Sequence, residues 1–420
     1  MIFQVIGINS IYGIFQEMYT SPRSTVKDAI GQDAFVSLVG SIGTGLTWSG
    51  GIVVNPLIAR TKDVRWITVS GVVIMSLGLI LASFSTRLWH LFLTQALLYG
   101  IGSSAYYFPI ISLTPPYFDR HRGFAMGVIL SGSGIGGLVL APVLRILLDR
   151  YGVGWTLRIL GLWNLAVGLP TACVIRKKAS LFRTASGSRP VGQAGLNMNL
   201  VKRGAFLWQS LGAFLQASGN VVPLYYMTTY STSILSYSSS AGSLLLAMNN
   251  AVNSVSRVLM GVIADRVGRQ NTMILSVFLS GLSVFAFWYD ASRVRFLLFV
   301  VSYGIYAGGY NALVPTTIAE IYGVENYSSV NGVIYFIRGL GAIFGAPIAG
   351  VILGSHQRSG SLSSQNAISL RYMMATLGSL KTKYNEVVIY DGVLLLSAAF
   401  CVLYVRWLDA RDKGGWSWRA

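Results

Sequence analysis

Long apolar runs recur from one end of this chain to the other, each close to the ~20 residues an α-helix needs to cross the hydrocarbon core of a bilayer. They predict helices over 1–19, 35–59, 66–85, 88–113, 123–149 and 157–175, and, after a polar break, over 203–229, 238–264, 271–289, 296–319, 328–354 and 388–406. Backbone that crosses lipid must satisfy its own hydrogen bonds, and spans of this length do so as helices. The expected fold is therefore all-α and polytopic, with two sets of six spans. Composition excludes an ordinary soluble domain: 53% of the 420 residues are hydrophobic and 11% charged, where soluble domains carry about 25% charge.

The polar break defines the expected organisation: a six-helix bundle over 1–175, a linker over 176–202, a second six-helix bundle over 203–406 and a tail over 407–420. The linker carries Arg176, Lys177, Lys178, Arg183, Arg189 and Lys202 without an acid. With both termini cytoplasmic, the inner loops and tail, with Arg203 and Arg406 at the adjoining span edges, hold 18 Lys and Arg against 11 in the outer loops with Arg158 at their edge, the asymmetry that places inner loops in the cytoplasm. The net charge of +18 thus lies between spans, where it meets the lipid bilayer and implies no nucleic acid. The expected location is the cell membrane, multi-pass. The first segment is long, polar in places and without a basic start, unlike a cleavable signal. Cys173 and Cys401 fall in apolar spans as packing residues, and no spacing suggests a metal site or a cofactor. The Ser355–Asp391 stretch reads as a long outer loop.

The stretch 117–137, YFDRHRGFAMGVILSGSGIGG, joins a basic turn to a glycine-lined helix. Gly123, Gly127 and Ser131 recur every four residues, as do Gly132 and Gly136, so one side of the helix lets a neighbouring backbone approach. The whole stretch resembles the fifth-helix motif of the monocarboxylate porter family of the major facilitator superfamily. Tyr117, Phe118, Arg120, Arg122, Ala125, Gly127, Gly132, Ser133 and Gly136 fall on that pattern without a gap. The resemblance implies a 12-helix fold of two six-helix bundles working by alternating access, with substrate between the halves. The Asp-Gly and tryptophan motif that usually opens the family's first helix has no match, while Gly7-Ile8-Asn9-Ser10 through Gly13-Ile14-Phe15-Gln16 resembles the fungal branch of the family. The turn Gly261-Val262-Ile263-Ala264-Asp265-Arg266-Val267-Gly268-Arg269 looks like the superfamily's inner-loop motif. That resemblance implies gating contacts for Asp265, Arg266 and Arg269, with Arg120 and Arg122 at the facing helix start.

Charge deep in a span is costly and usually lines a cavity or pairs with something. Arg257 lies about 10 Å into the eighth helix at 1.5 Å per residue, and Asn249, Asn253 and Arg257 share one face by their spacing of four. Arg338 is the other deep cation, in the eleventh helix. With Glu17, Asp149 and Glu320 at the ends of the assigned spans and no acid deep in one, the two arginines favour a bound anion. Asn220 and Tyr226 flank Pro223, Tyr310 and Asn311 precede Pro315, and these predict a roomy, aromatic-rich site. In the porters that the chain resembles, the eighth helix carries an aspartate and, four residues on, an arginine for the substrate carboxylate. Arg257 falls on that arginine and Asn253 on the aspartate. A carboxamide takes up no proton, which questions the usual proton-coupled step.

The expected function is secondary transport of a small organic acid or acidic secondary metabolite, with efflux as one direction. A proton-coupled uptake porter for a monocarboxylate or vitamin is the alternative, and a transporter-like nutrient sensor is the alternative of another class. No span holds a nucleophile-base pair, so an enzyme is not expected.

Overall fold

A computed structural model describes residues 1–22, 24–114, 118, 121–175, 202–354 and 368–415. Twelve helical spans follow one another among them. The span α1 is broken at Ile11 into Ile2–Ser10 and Tyr12–Thr20. Then come α2 (Asp33–Arg60), α3 (Arg65–Ala82) and α4 (Leu88–Leu113). The continuous run Arg122–Val174 turns at Gly152, φ +72°, which divides α5 (122–151) from α6 (153–174). The second half holds α7 (Gly204–Ser233), α8 (Ser239–Val267) and α9 (Arg269–Trp288). Gly323, φ +79°, separates α10 (Arg293–Gly323) from α11 (Glu325–Leu353), and α12 runs Ile368–Asp412. Both turns need a left-handed backbone that costs a glycine nothing.

The expected outer loop over Ser355–Asp391 is corrected by α12, which is helical from Ile368. At 45 residues it is about 68 Å long, more than twice the hydrocarbon core. Hydropathy marks only the part of a helix that lipid touches, so its polar start, with Lys381, Lys383 and Glu386, read as loop. The 176–201 part of the linker, Arg120 and Tyr117 lie outside the described residues, and the 407–412 part of the expected tail continues α12.

The outer surface is apolar where lipid would meet it: Trp66, Leu93, Val143, Leu162, Val255, Phe278, Phe344 and Phe400 all face outward. Polarity turns inward. Eight stretches among the described residues are long and apolar enough to span a membrane, α5 and α6 together forming one of them. The broken α1 and the polar α7 and α8 are not among the eight. These are helices in which serine, threonine, asparagine and glutamine are buried, including Gln216, Asn220, Asn249 and Asn250.

The halves meet along α5–α8 and α2–α11, where small residues bring backbones close. A Cβ on Gly127 would press on the Arg257 carbonyl and one on Gly123 would stand 2.8 Å from the Gly261 carbonyl. Gly136 instead packs on Gly7 of α1, so the two glycine rows of α5 serve two different neighbours. Gly132 is looser, since its nearest neighbour would be 3.7 Å from a Cβ.

Candidate functional site

A cavity of about 60 Å³ lies between the halves, with Asn9, Thr44, Trp48, Tyr107 and Ser133 on one side and Asn220, Asn249, Asn253, Arg257 and Arg338 among those opposite. The polar face of α8, with Asn249, Asn253 and Arg257, lines this cavity. Asn249 donates to the Val300 carbonyl at 2.8 Å and Asn253 to the Gly304 carbonyl at 3.3 Å, which ties that face to α10. Asn253 then presents its carbonyl oxygen to Arg257 Nε at 2.8 Å. Arg257 Nη1 reaches across to the Leu130 carbonyl of α5 at 2.9 Å. The amide at position 253 thus fixes the direction of the guanidinium without neutralising it.

Arg338 enters from α11 and is 1% exposed. Its guanidinium lies 4.6 Å from the Trp48 ring centroid, 5.1 Å from Tyr335 and 5.4 Å from Tyr310, an aromatic box in which cation–π attraction is strengthened by desolvation. It donates to the Asn311 carbonyl oxygen, and Asn311 in turn donates to Asn220 at 3.4 Å. Its Nε has no hydrogen-bond partner among the described residues. Neither Arg257 nor Arg338 forms an ion pair among the described residues.

Of the residues singled out in the sequence, Arg257, Asn253, Asn249, Arg338, Asn220 and Asn311 come together on the cavity. Tyr310 stacks behind on Arg338. Tyr226 does not join them; its hydroxyl donates to the Ala346 carbonyl at 3.0 Å. Trp48, Thr44, Asn9 and Tyr303 were not anticipated as lining residues. The i,i+4 spacing of Thr44 and Trp48 was the available signal, though an isolated tryptophan in a span usually faces an interface. Asp391, fully buried on α12, was also missed because its neighbourhood read as loop.

Contacts between the halves flank the cavity on both sides. At the end bearing the inner-loop motif, the Asp265 carboxylate accepts from the Gly123 N–H at 3.1 Å and the Phe124 N–H at 2.9 Å. It also pairs with Arg269 at 3.2 Å, and Arg269 reaches Glu320 at 3.5 Å. A carboxylate on the free N–H groups of a helix start also meets the positive end of its dipole. Arg266 is exposed and makes no ion pair among the described residues, and nothing is described of the Arg122 side chain. Asn55 donates to the Ser328 carbonyl at 3.2 Å and Tyr327 to the Ile111 carbonyl at 3.1 Å, closing the same end between α11 and the first half. At the other end, Thr228 donates to the Gly13 carbonyl at 3.0 Å, beside the break in α1.

Comparison with known proteins agrees with this architecture. The sequence model of the Major Facilitator Superfamily matches residues 5–346 and again 210–415. The chain is 29% identical to "MFS-type transporter pynF" of Aspergillus niger over 85% of this chain and 80% of that one. It is 29% identical to "Agnestins efflux protein AgnL12" of Paecilomyces divaricatus, covering 91% and 85%. "Monocarboxylate transporter 12" of Xenopus laevis is 29% identical, covering 67% and 66%. The fold superposes on the crystal structure of a bacterial homolog of the human lysosomal transporter Spinster, captured inward-facing and unoccupied. That match has a TM-score of 0.64 at 16% identity, covering 99% of this chain and 98% of that one. With the family model matching most of its length and the fold agreeing from end to end, the chain belongs to the major facilitator superfamily of membrane transporters.

Proposed function

We propose that this protein is a secondary transporter of organic anions of the monocarboxylate porter type, acting by alternating access, with Arg257 and Arg338 as the cationic contacts. The observation that carries this reading is the pair of buried guanidinium groups, both on the cavity and neither in an ion pair among the described residues. A buried cation without an acid is expensive, and a carboxylate entering between the two offsets that cost. The Asn253 carbonyl holds Arg257 in place for it, and the box of Trp48, Tyr310 and Tyr335 holds Arg338.

The aromatic lining suits a larger acid than a two- or three-carbon one. At about 60 Å³ the cavity is contracted, well below the 300–1,000 Å³ of typical ligand sites. The halves must therefore part to admit substrate, as alternating access requires. The names of fungal relatives, an agnestins efflux protein and an aspyridones efflux protein among them, support a secondary metabolite as cargo and efflux as direction, and the two arginines favour an acidic one. A monocarboxylate uptake porter is the second reading, favoured by the relative of that name.

The test is transport of labelled benzoate and lactate by the purified protein in proteoliposomes, comparing wild type with Arg257→Gln. Saturable counterflow of either acid that falls at least tenfold in the variant is the expected result. Equal transport by the variant, or no movement of any acid, removes the anion reading.

A further inference from the structure

Asp391 is 0% exposed on α12, and both its carboxylate oxygens lack a hydrogen-bond partner among the described residues. It stands against the middle of the bundle. A Cβ built on Gly219, halfway along the 30-residue α7, would be 3.2 Å from its Oδ1, and the next residue, Asn220, lines the cavity. From α10 the Tyr303 phenol lies within electrostatic reach of the same carboxylate. Tyr303 lines the cavity, and its hydroxyl also has no partner among the described residues. From α9 the Phe285 ring covers the neighbouring Gly392. The titratable groups beside Asp391 are thus the phenols of Tyr303 and, on its own helix, Tyr390. No ion pair to it forms among the described residues.

An ionised carboxylate in such a place is an uncompensated buried charge, whereas the neutral acid leaves only an unmade hydrogen bond. The closed bundle therefore holds Asp391 as the acid. When the halves part and water reaches the layer of Tyr303 and Asn220, the carboxylate becomes solvated and the proton can leave. Proton occupancy and closure are then linked, since a ligand that binds one state better shifts the equilibrium toward it.

We propose that Asp391 is a proton-binding site of the transport cycle, placed behind the cavity on α12 and supplying the titratable carboxyl that Asn253 cannot. The balance is simple: the carboxylate takes one proton from water on the side where the bundle is open, becomes the neutral acid as the bundle closes, and returns the proton to water on the other side. Closure around an anion needs the protonated acid, so anion and proton travel together. This rests on the anion-transport reading, and the test separates the two.

The first arm needs no substrate. In the full-length protein reconstituted in lipid, the infrared carbonyl stretch of a protonated carboxylic acid without hydrogen bonds is expected at pH 7 in wild type and absent in Asp391→Asn. Its absence from wild type overturns the proposal. The second arm uses labelled benzenesulfonate, the anion of a strong acid, which does not cross lipid as a neutral molecule and so carries no proton by itself. Asp391→Asn is expected to keep counterflow, which needs no net proton movement, and to lose accumulation driven by an imposed pH gradient. One proton per anion supports about tenfold accumulation per pH unit in wild type. Asp391→Glu restores the carboxyl and is expected to restore the drive, which separates coupling from misfolding. Gradient-driven accumulation by Asp391→Asn equal to wild type, or none in a wild type that performs counterflow, refutes the assignment. Absence of counterflow in wild type fails the anion reading instead, and the infrared arm then decides the proton site alone.

Discussion

The contact between Asp265 and the start of α5 gives a quantitative handle on how the closed state is held. Asp265→Asn removes the charge while keeping one acceptor oxygen. The carboxylate sits on two N–H groups of the other half, at 3.1 and 2.9 Å, and its side chain is only 9% exposed. In a partly buried geometry, a charge at a helix start contributes up to about 2 kcal/mol. The pair with Arg269, 3.2 Å away, lies within the second half and is present in both states, so it drops out of the difference. Losing about 2 kcal/mol from this end corresponds to a roughly thirtyfold shift toward the state open there. The reporter is Ser133→Cys in a background of Cys173→Ser and Cys401→Ser, because Ser133 lines the cavity and is 2% exposed. A membrane-impermeant maleimide applied to the face carrying the α8–α9 turn is expected to label the reporter about 30 times faster in Asp265→Asn. A change below about threefold, or equal acceleration from both faces, refutes the role of this contact as a lock on one end.

Two further outcomes follow from the packing. Asn253→Asp puts a carboxylate on the Arg257 Nε contact; bound anion must then compete with it, so benzoate affinity is expected to fall about tenfold, as followed by counterflow at pH 8. Gly127→Ala would push a methyl group into the Arg257 carbonyl, whereas Gly132→Ala meets nothing closer than 3.7 Å. The first is expected to cost about 1–3 kcal/mol and the second under about 0.5 kcal/mol, read as loss of the monodisperse peak on heating in detergent.

Much of this architecture is legible in the chain because lipid imposes a one-dimensional rule: a span must be helical, long enough and apolar outside. That rule found the positions of all twelve helices. It could not find the break of α1 at Ile11 or the early start of α12 at Ile368, since neither changes average hydropathy within a span. The cavity was partly legible too. Asn249, Asn253 and Arg257 share a face by spacing alone, and that face does point at the cavity.

Periodicity along α8 says which side is polar, but not what stands opposite. That Arg338 rests among Trp48, Tyr310 and Tyr335, residues of three different helices, follows only from how α2, α10 and α11 cross. Tyr226, on the same proline-flanked stretch as Asn220, turns to the Ala346 carbonyl and away from the cavity, because a helix sends neighbouring residues to different sides. Asp391 shows the limit most directly: an aspartate at the edge of an apparent loop is unremarkable in a one-dimensional reading. Only the packing of α12 on α7, with Tyr303 of α10 beside it, makes it a buried acid without a partner among the described residues. The physical reason is that spans are selected by their contact with lipid, one helix at a time, whereas a polar site inside the bundle is made by contacts between helices distant in the chain.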